Sequence, residues 1–225
     1  MTRGILIAGP ESSLTAAIGA EACKRVEQYA AANIPGRFSG PLRDGEKAPC
    51  LEPGPSARIP LVWNPASPLS ARTLTLAAEN CLEHVDEAIL VCTPPSLRTG
   101  PEDLAPADVE AVLNDHLKGW FFLSRELCRM FRDRGAGTLA LVLQEPAPGG
   151  EPADLLGPAV GAAFRAFAQS LLASQPGKAY EVYGFSAESA DAADFAAFIF
   201  KIIEERGRRN AGKWHKYGRL GIFGR

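Results

Sequence analysis

Short, wholly apolar runs recur along the chain, and each is followed by a longer stretch whose apolar residues return every three or four positions. Residues 4–8 (GILIA) end at Gly9-Pro10, the pattern of a buried parallel strand and its turn. Ser12 or Ser13 then caps a helix predicted to run to about Tyr29, with Leu14, Ala17, Ile18 and Ala22 on one face. Further strands are expected at 59–63 (IPLVW), 87–92 (EAILVC), 138–143 (TLALVL), 179–185 (AYEVYGF) and 219–223 (RLGIF). Helices are expected at 69–83, 106–133, 153–174 and 190–206. In the second of these Leu113, Leu117, Phe121, Ser124, Cys128 and Phe131 keep helical spacing, and Gly135 and Gly137 end it.

The stretch 33–58 breaks the pattern. It holds Pro35, Gly36, Gly40, Pro41, Gly45, Pro49, Pro53, Gly54 and Pro55, a density that forbids a regular helix and disfavours a central strand. It reads as an irregular surface excursion with one short strand near Arg37-Phe38. Elsewhere strand and helix alternate from end to end. The expected fold class is α/β: a three-layer, Rossmann-like, doubly wound parallel sheet, with residues 1–225 in a single domain.

Composition narrows the function classes. The 225 residues are 46% hydrophobic, which excludes a disordered chain. With 24 basic against 26 acidic residues, a broad nucleic-acid-binding surface is not expected. The basic C-terminal segment from Arg206 reads as a solvated helix end whose arginines offset the helix dipole. No apolar run reaches the roughly 18–20 residues of a membrane span, and the N-terminus enters its first strand without a signal-peptide core, so a cytoplasmic protein is expected. The five cysteines are scattered without a C-x-x-C pair, and His84, His116 and His215 are dispersed, so no metal is expected.

The order and spacing of these elements resemble the short-chain dehydrogenase/reductase family, a Rossmann fold, over nearly the whole chain. Residues 112–144 (VLNDHLKGWFFLSRELCRMFRDRGAGTLALVLQ) resemble the family's long interface helix and the strand bearing its catalytic serine. Residues 157–173 (GPAVGAAFRAFAQSLLA) are similar to its Y-x-x-x-K helix, EAILVC with TPP to the strand leading into N-N-A-G, and GKWHKYGRLGIFG to the closing strand. The resemblance implies an NAD(P) site at T-G-x-x-x-G-x-G, matched here by Ala8, Gly9, Ser13 and Thr15, of which only the first glycine is kept. It implies a second strand ending near a ribose-reading residue, a place that falls in the Pro/Gly-rich excursion. Asn64 matches the aspartate that contacts adenine.

The same alignment implies that the catalytic serine, tyrosine, lysine and asparagine are replaced by Gln144, Gly157, Gly161 and His116. Independently of alignment, no Tyr or Lys occurs from 145 to 177. Glycine carries no titratable atom. The family's substrate lid is also missing, since Ser186 to Ala190 leads almost directly into the last helix. The expectation is a non-catalytic relative, without a cofactor, that serves as a structural or regulatory subunit. Two alternatives stand beside it. One is an NAD(P)-dependent oxidoreductase, of 3-oxoacyl type, with an atypical site drawing on His116 and Gln144. The other is a small-ligand binder using the remnant cleft.

In the family, helices matching 108–133 and 155–174 pack against their copies in a partner. Trp120, Phe121, Phe164 and Phe167 are therefore the interface candidates, for a homodimer, a homotetramer or a heteromer with an active relative. The space above Gly157 and Gly161 is expected to be filled by Trp63 or by Pro94-Pro95.

Overall fold

The run EAILVC forms strand β4 (Glu87–Cys92), buried at every residue. A strand without a solvent-facing side requires neighbours on both edges and cover on both faces. In the computed structural model, which describes residues 3–34, 57–97, 99–145, 155–174, 177–188, 191–205 and 210–218, β4 has all of these. It lies between β1 (Ile5–Pro10) and β5 (Thr138–Glu145). The remaining strands are β2 (Gln28–Ile34), β3 (Ala57–Val62), β6 (Glu181–Glu188) and β7 (Trp214–Tyr217). Together they make one sheet in the order β3-β2-β1-β4-β5-β6-β7, with every pair parallel.

Parallel strands need crossovers, and these place helices on both faces. On one face, α1 (Ser13–Cys23) and α6 (Ala192–Glu204) set Leu14, Ile18, Phe195 and Ile199 into a cluster with Ile5, Ile7, Ile89 and Val91. On the other, α2 (Pro68–Leu82), α4 (Gly119–Arg134) and α5 (Leu156–Ala173) bring Leu74, Leu123, Leu127 and Phe164 together with Leu6, Ala8, Leu90 and Leu141. The result is the three-layer, Rossmann-like architecture. A short α3 (Pro106–Leu113) runs through a π-helical turn at Asn114–Lys118 into α4, so the expected helix 106–133 is continuous but locally widened.

At the amino ends of the strands, the buried carboxylate of Glu87 accepts two 2.7 Å hydrogen bonds from Arg3. Arg3 also reaches Glu204 of α6 at 3.4 Å. This pairing lets a fully buried acid sit at the edge of the core.

Two expectations are corrected. The first helix ends at Cys23 rather than near Tyr29, and Tyr29 belongs to β2. The backbone turns after Ala22, where the amides of Arg25 and Val26 both bond back to the Ala22 carbonyl. The margins of the stretch 33–58 belong to strands, since Asn33 and Ile34 complete β2, and Ala57 and Arg58 begin β3. The strand proposed near Arg37-Phe38 lies outside the described residues. The seventh strand is Trp214–Tyr217; residues 219–223, where it was expected, also lie outside them.

The strand order reverses between β1 and β4, which opens a crevice at their carboxyl ends. The two strands approach closely there. A Cβ on Gly9 would stand 2.7 Å from the Val91 carbonyl oxygen and 2.9 Å from Val91 Cβ. Backbone on one side leaves little to give way, so packing alone requires glycine. Gly9→Ala should therefore lower stability by about 1–3 kcal/mol. Thermal melting without added nucleotide checks this; an unchanged midpoint would show that the contact is relieved.

Candidate functional site

The crevice is built around the first turn of α1. Ser12 caps the helix, its hydroxyl accepting the Thr15 amide at 3.1 Å. Thr15 Oγ1 donates to the Pro10 carbonyl at 2.8 Å and lies 3.0 Å from Ser12 Oγ. Thr93, just past β4, has its hydroxyl 3.5 Å from Ser12 Oγ and 3.4 Å from Gln144 Oε1. Hydroxyls and one amide thus line the ends of β1, β4 and β5 in a loose chain, with contacts near the long limit for hydrogen bonds. Behind them the helix N-terminus carries no acidic residue in its first turn, an arrangement that suits an anion.

The four expected cofactor contacts lie at two places, the β1–α1 turn and the segment after β3. Gly9, Ser13 and Thr15 meet at the β1–α1 turn, with Ser13 exposed as the first helical residue. Asn64 lies just beyond β3 and is engaged in its own turn. Its Oδ1 accepts the Ala66 backbone N–H at 3.1 Å, and its own backbone N–H donates to Ser70 Oγ at 2.8 Å. The sequence reading missed Asn33. At the carboxyl end of β2, where a ribose-reading residue would stand, its Nδ2 donates to Glu11 Oε1 at 2.8 Å. The signal was present in YAAANI ending at Pro35-Gly36, an apolar run closed by turn residues.

The positions expected to carry chemistry fall at one end of the sheet. Gln144 is near the end of β5, and Gly157 and Gly161 are buried on the first turns of α5. Pro94 Cγ lies 3.3 Å from where a Gly161 Cβ would stand, with Leu143 Cδ1 at 4.0 Å. Of the two expected fillers, Pro94 is therefore against this face. Trp63 goes elsewhere: its Cζ2 is 3.1 Å from the Cβ position of Gly119, and its rings meet Trp120 at 5.3 Å.

His116 sits in the π-helical turn, 6% exposed, and burial pulls its pKa down to about 4. Its Nδ1 has no hydrogen-bond partner among the described residues, nor do Trp63 Nε1, Trp120 Nε1 and Ser124 Oγ. The sheet edge beyond β5 is closed by paired charges. Arg165 of α5 pairs with Glu145 and lies 5.2 Å from the Trp214 ring centre, while Trp214 Nε1 donates to Ser186 Oγ at 3.0 Å. Burial disfavours the Glu145 carboxylate, but the Ser186 hydroxyl and the Arg165 guanidinium outweigh it and hold its pKa below the usual range. Among the described residues no cluster of His, Cys, Asp or Glu could hold a metal ion, and no helix is long and apolar enough to cross a membrane.

The interface candidates divide. Trp120 and Phe164 are fully buried, with their rings 5.8 Å apart in the core between α4, α5 and the sheet, so they are corrected from surface to core. Phe121 is 50% exposed and packs on the partly buried Phe167 at 4.5 Å, so this pair does reach the outer face of the two helices.

No family model matches the chain, and no curated protein does. Solved structures do. A protein from Aeromonas hydrophila described as a short-chain dehydrogenase/reductase family oxidoreductase superposes with a TM-score of 0.75 at 17% identity, over 96% of this chain and 99% of the other. Levodione reductase gives 0.74 at 13% identity, over 95% of each chain. A short-chain dehydrogenase from Mycobacterium smegmatis gives 0.72 at 15% identity, over 97% of this chain and 93% of the other. At such identities the likeness is one of architecture, and across nearly its whole length the chain has the fold of the short-chain dehydrogenases/reductases.

Proposed function

We propose that the chain is a non-catalytic protein of this fold, acting in the cytoplasm as a structural or regulatory subunit. The observation that carries this reading is the α5 face, where Gly157 and Gly161 stand in place of the proton donor and the ammonium group. Proton transfer to a carbonyl needs a titratable group within hydrogen-bond reach. A lysine at 161 would begin with its Cβ only 3.3 Å from Pro94 Cγ, so the opposing loop fits glycine. His116 does not substitute for the missing groups, because its buried imidazole is neutral near pH 7 and has only a weak tendency to hold a proton.

The subunit would associate through the helices at 108–133 and 155–174, as a homo-oligomer or with an active relative. The polar chain from Ser12 to Gln144 favours a second reading, an NAD(P)-dependent oxidoreductase with an atypical site.

Titration with NADH and NADPH separates the two. Under the first reading neither binds more tightly than about 100 µM, equivalent to about −5.5 kcal/mol, and no carbonyl compound is reduced. Saturable tighter binding with turnover would replace it by the second.

His116 supplies a second test, of the site itself. Its folded pKa of about 4 lies below the 6.5 of an ordinary imidazole. Between these values the unfolded chain takes up a proton that the native protein refuses. Stability is complete above pH 6.5 and falls as the pH drops toward 4, by roughly 3 kcal/mol at most from this group. His116→Gln should remove that slope. Denaturant melts of both proteins from pH 7 to pH 4 check it, and parallel curves would mean that the imidazole is not held neutral.

A further inference from the structure

We infer that the outward face of α4 docks an acidic protein partner rather than a second copy of this chain. This names the partner chemistry of the subunit proposed above and rests on that reading. Lys118, Arg125, Arg129 and Arg132 are spaced i, i+7, i+11 and i+14, which places all four on one stripe of a helix with 3.6 residues per turn. The stripe is opposite the buried Leu123, Leu127 and Phe131. Its side chains are well exposed: 71% for Arg125, 58% for Arg129 and 63% for Arg132.

The carboxylates of α4 itself do not balance it. From Lys118 to Arg134 the acids are Glu126 and Asp133. Glu126 is only 13% exposed and 3.9 Å from Arg125. Asp133 serves two arginines, Arg132 at 2.8 Å and Arg129 at 3.9 Å. The neighbouring α5 carries no carboxylate, and its one cation, Arg165, is turned to Glu145 and Trp214. Arg134 turns back onto the Val85 carbonyl and Asp86, away from this face.

A two-fold dimer through this face would set the stripe against itself, since an isologous interface apposes the same patch of both subunits. Cations would then meet cations, with little acid to separate them. A partner with an acidic helix face meets the opposite condition. Phe121 on Phe167 supplies the apolar centre beside the arginines, and aromatic residues with arginine are the groups enriched in protein interfaces. The narrow stripe, interrupted by exposed phenylalanine on a chain of net charge −2, fits a protein better than a nucleic-acid backbone.

The chain itself supplies the probe. Reversing the stripe (Lys118→Glu, Arg125→Glu, Arg129→Glu, Arg132→Glu) makes an acidic surface of matching shape at exposed positions. Sedimentation velocity should find wild type and variant each monomeric, and their mixture dimeric at low salt. The association should weaken at least about tenfold at high salt. The milder Arg125→Glu/Arg129→Glu variant should give the same ranking with a weaker complex. The inference is overturned if wild type alone forms a dimer that Phe121→Asp dissociates, if the mixture associates no better than its components, or if a short duplex DNA binds wild type more tightly than the variant does. Its failure is distinct from failure of the subunit reading, which NADH turnover by wild type would bring about while leaving the mixing result intact.

Discussion

Burial of β4 on both faces is the constraint from which the rest of the molecule follows. A strand with every residue shielded from water has to be central, and its parallel neighbours have to be joined by crossovers that cover both sides. The order reversal beside it then places a crevice at the carboxyl ends of β1 and β4. The close contact of Gly9 with Val91 belongs to the same packing. A glycine that looks like the remnant of a nucleotide loop is thus already required by the sheet.

Whether such a crevice performs chemistry depends on what projects into it. Here its far side consists of glycine and proline, with Pro94 against Gly161, and of charges that satisfy one another at Arg165 and Glu145. The near side keeps hydroxyls and a helix N-terminus. Those groups can hold an anion, but holding an anion is separable from moving a hydride and a proton. Trp63 Nε1, His116 Nδ1 and Trp120 Nε1 are buried without a hydrogen-bond partner among the described residues.

The elements legible in the sequence were those with a single strong signal. EAILVC and TLALVL are apolar throughout and short, and both are central strands. β2 was missed because QYAAANI continues the alanine-rich texture of α1, and alanine favours helix; strand pairing to β1 and β3 overrode that preference. β7 carried too weak a signal to be read, because WHKY mixes a charge and an imidazole into an edge strand that is only half buried. For the site, absences could be read directly, since glycine at 157 and 161 needs no fold to interpret. What the sequence could not give was which aromatics face outward: Phe121 and Trp120 are adjacent, yet one is half exposed and the other fully buried.

The basic stripe on α4 has a competing explanation in helix electrostatics, and it accounts for only part of the stripe. Cations in a last turn offset the negative end of the helix dipole, which explains Arg132 and Arg134 beside the cap at Gly135. That effect fades within a turn. Arg125 is more than two turns from the end, and Lys118 lies inside a continuous run from α3, where no free helix end exists. Pairing within the helix does not neutralise them either: Lys118 donates to the uncharged Asn114 Oδ1 at 2.8 Å, and Arg125 stands 3.9 Å from a largely shielded Glu126. These two cations therefore answer to something outside the helix. Their position beside Phe121 makes a partner of opposite charge the simplest complement.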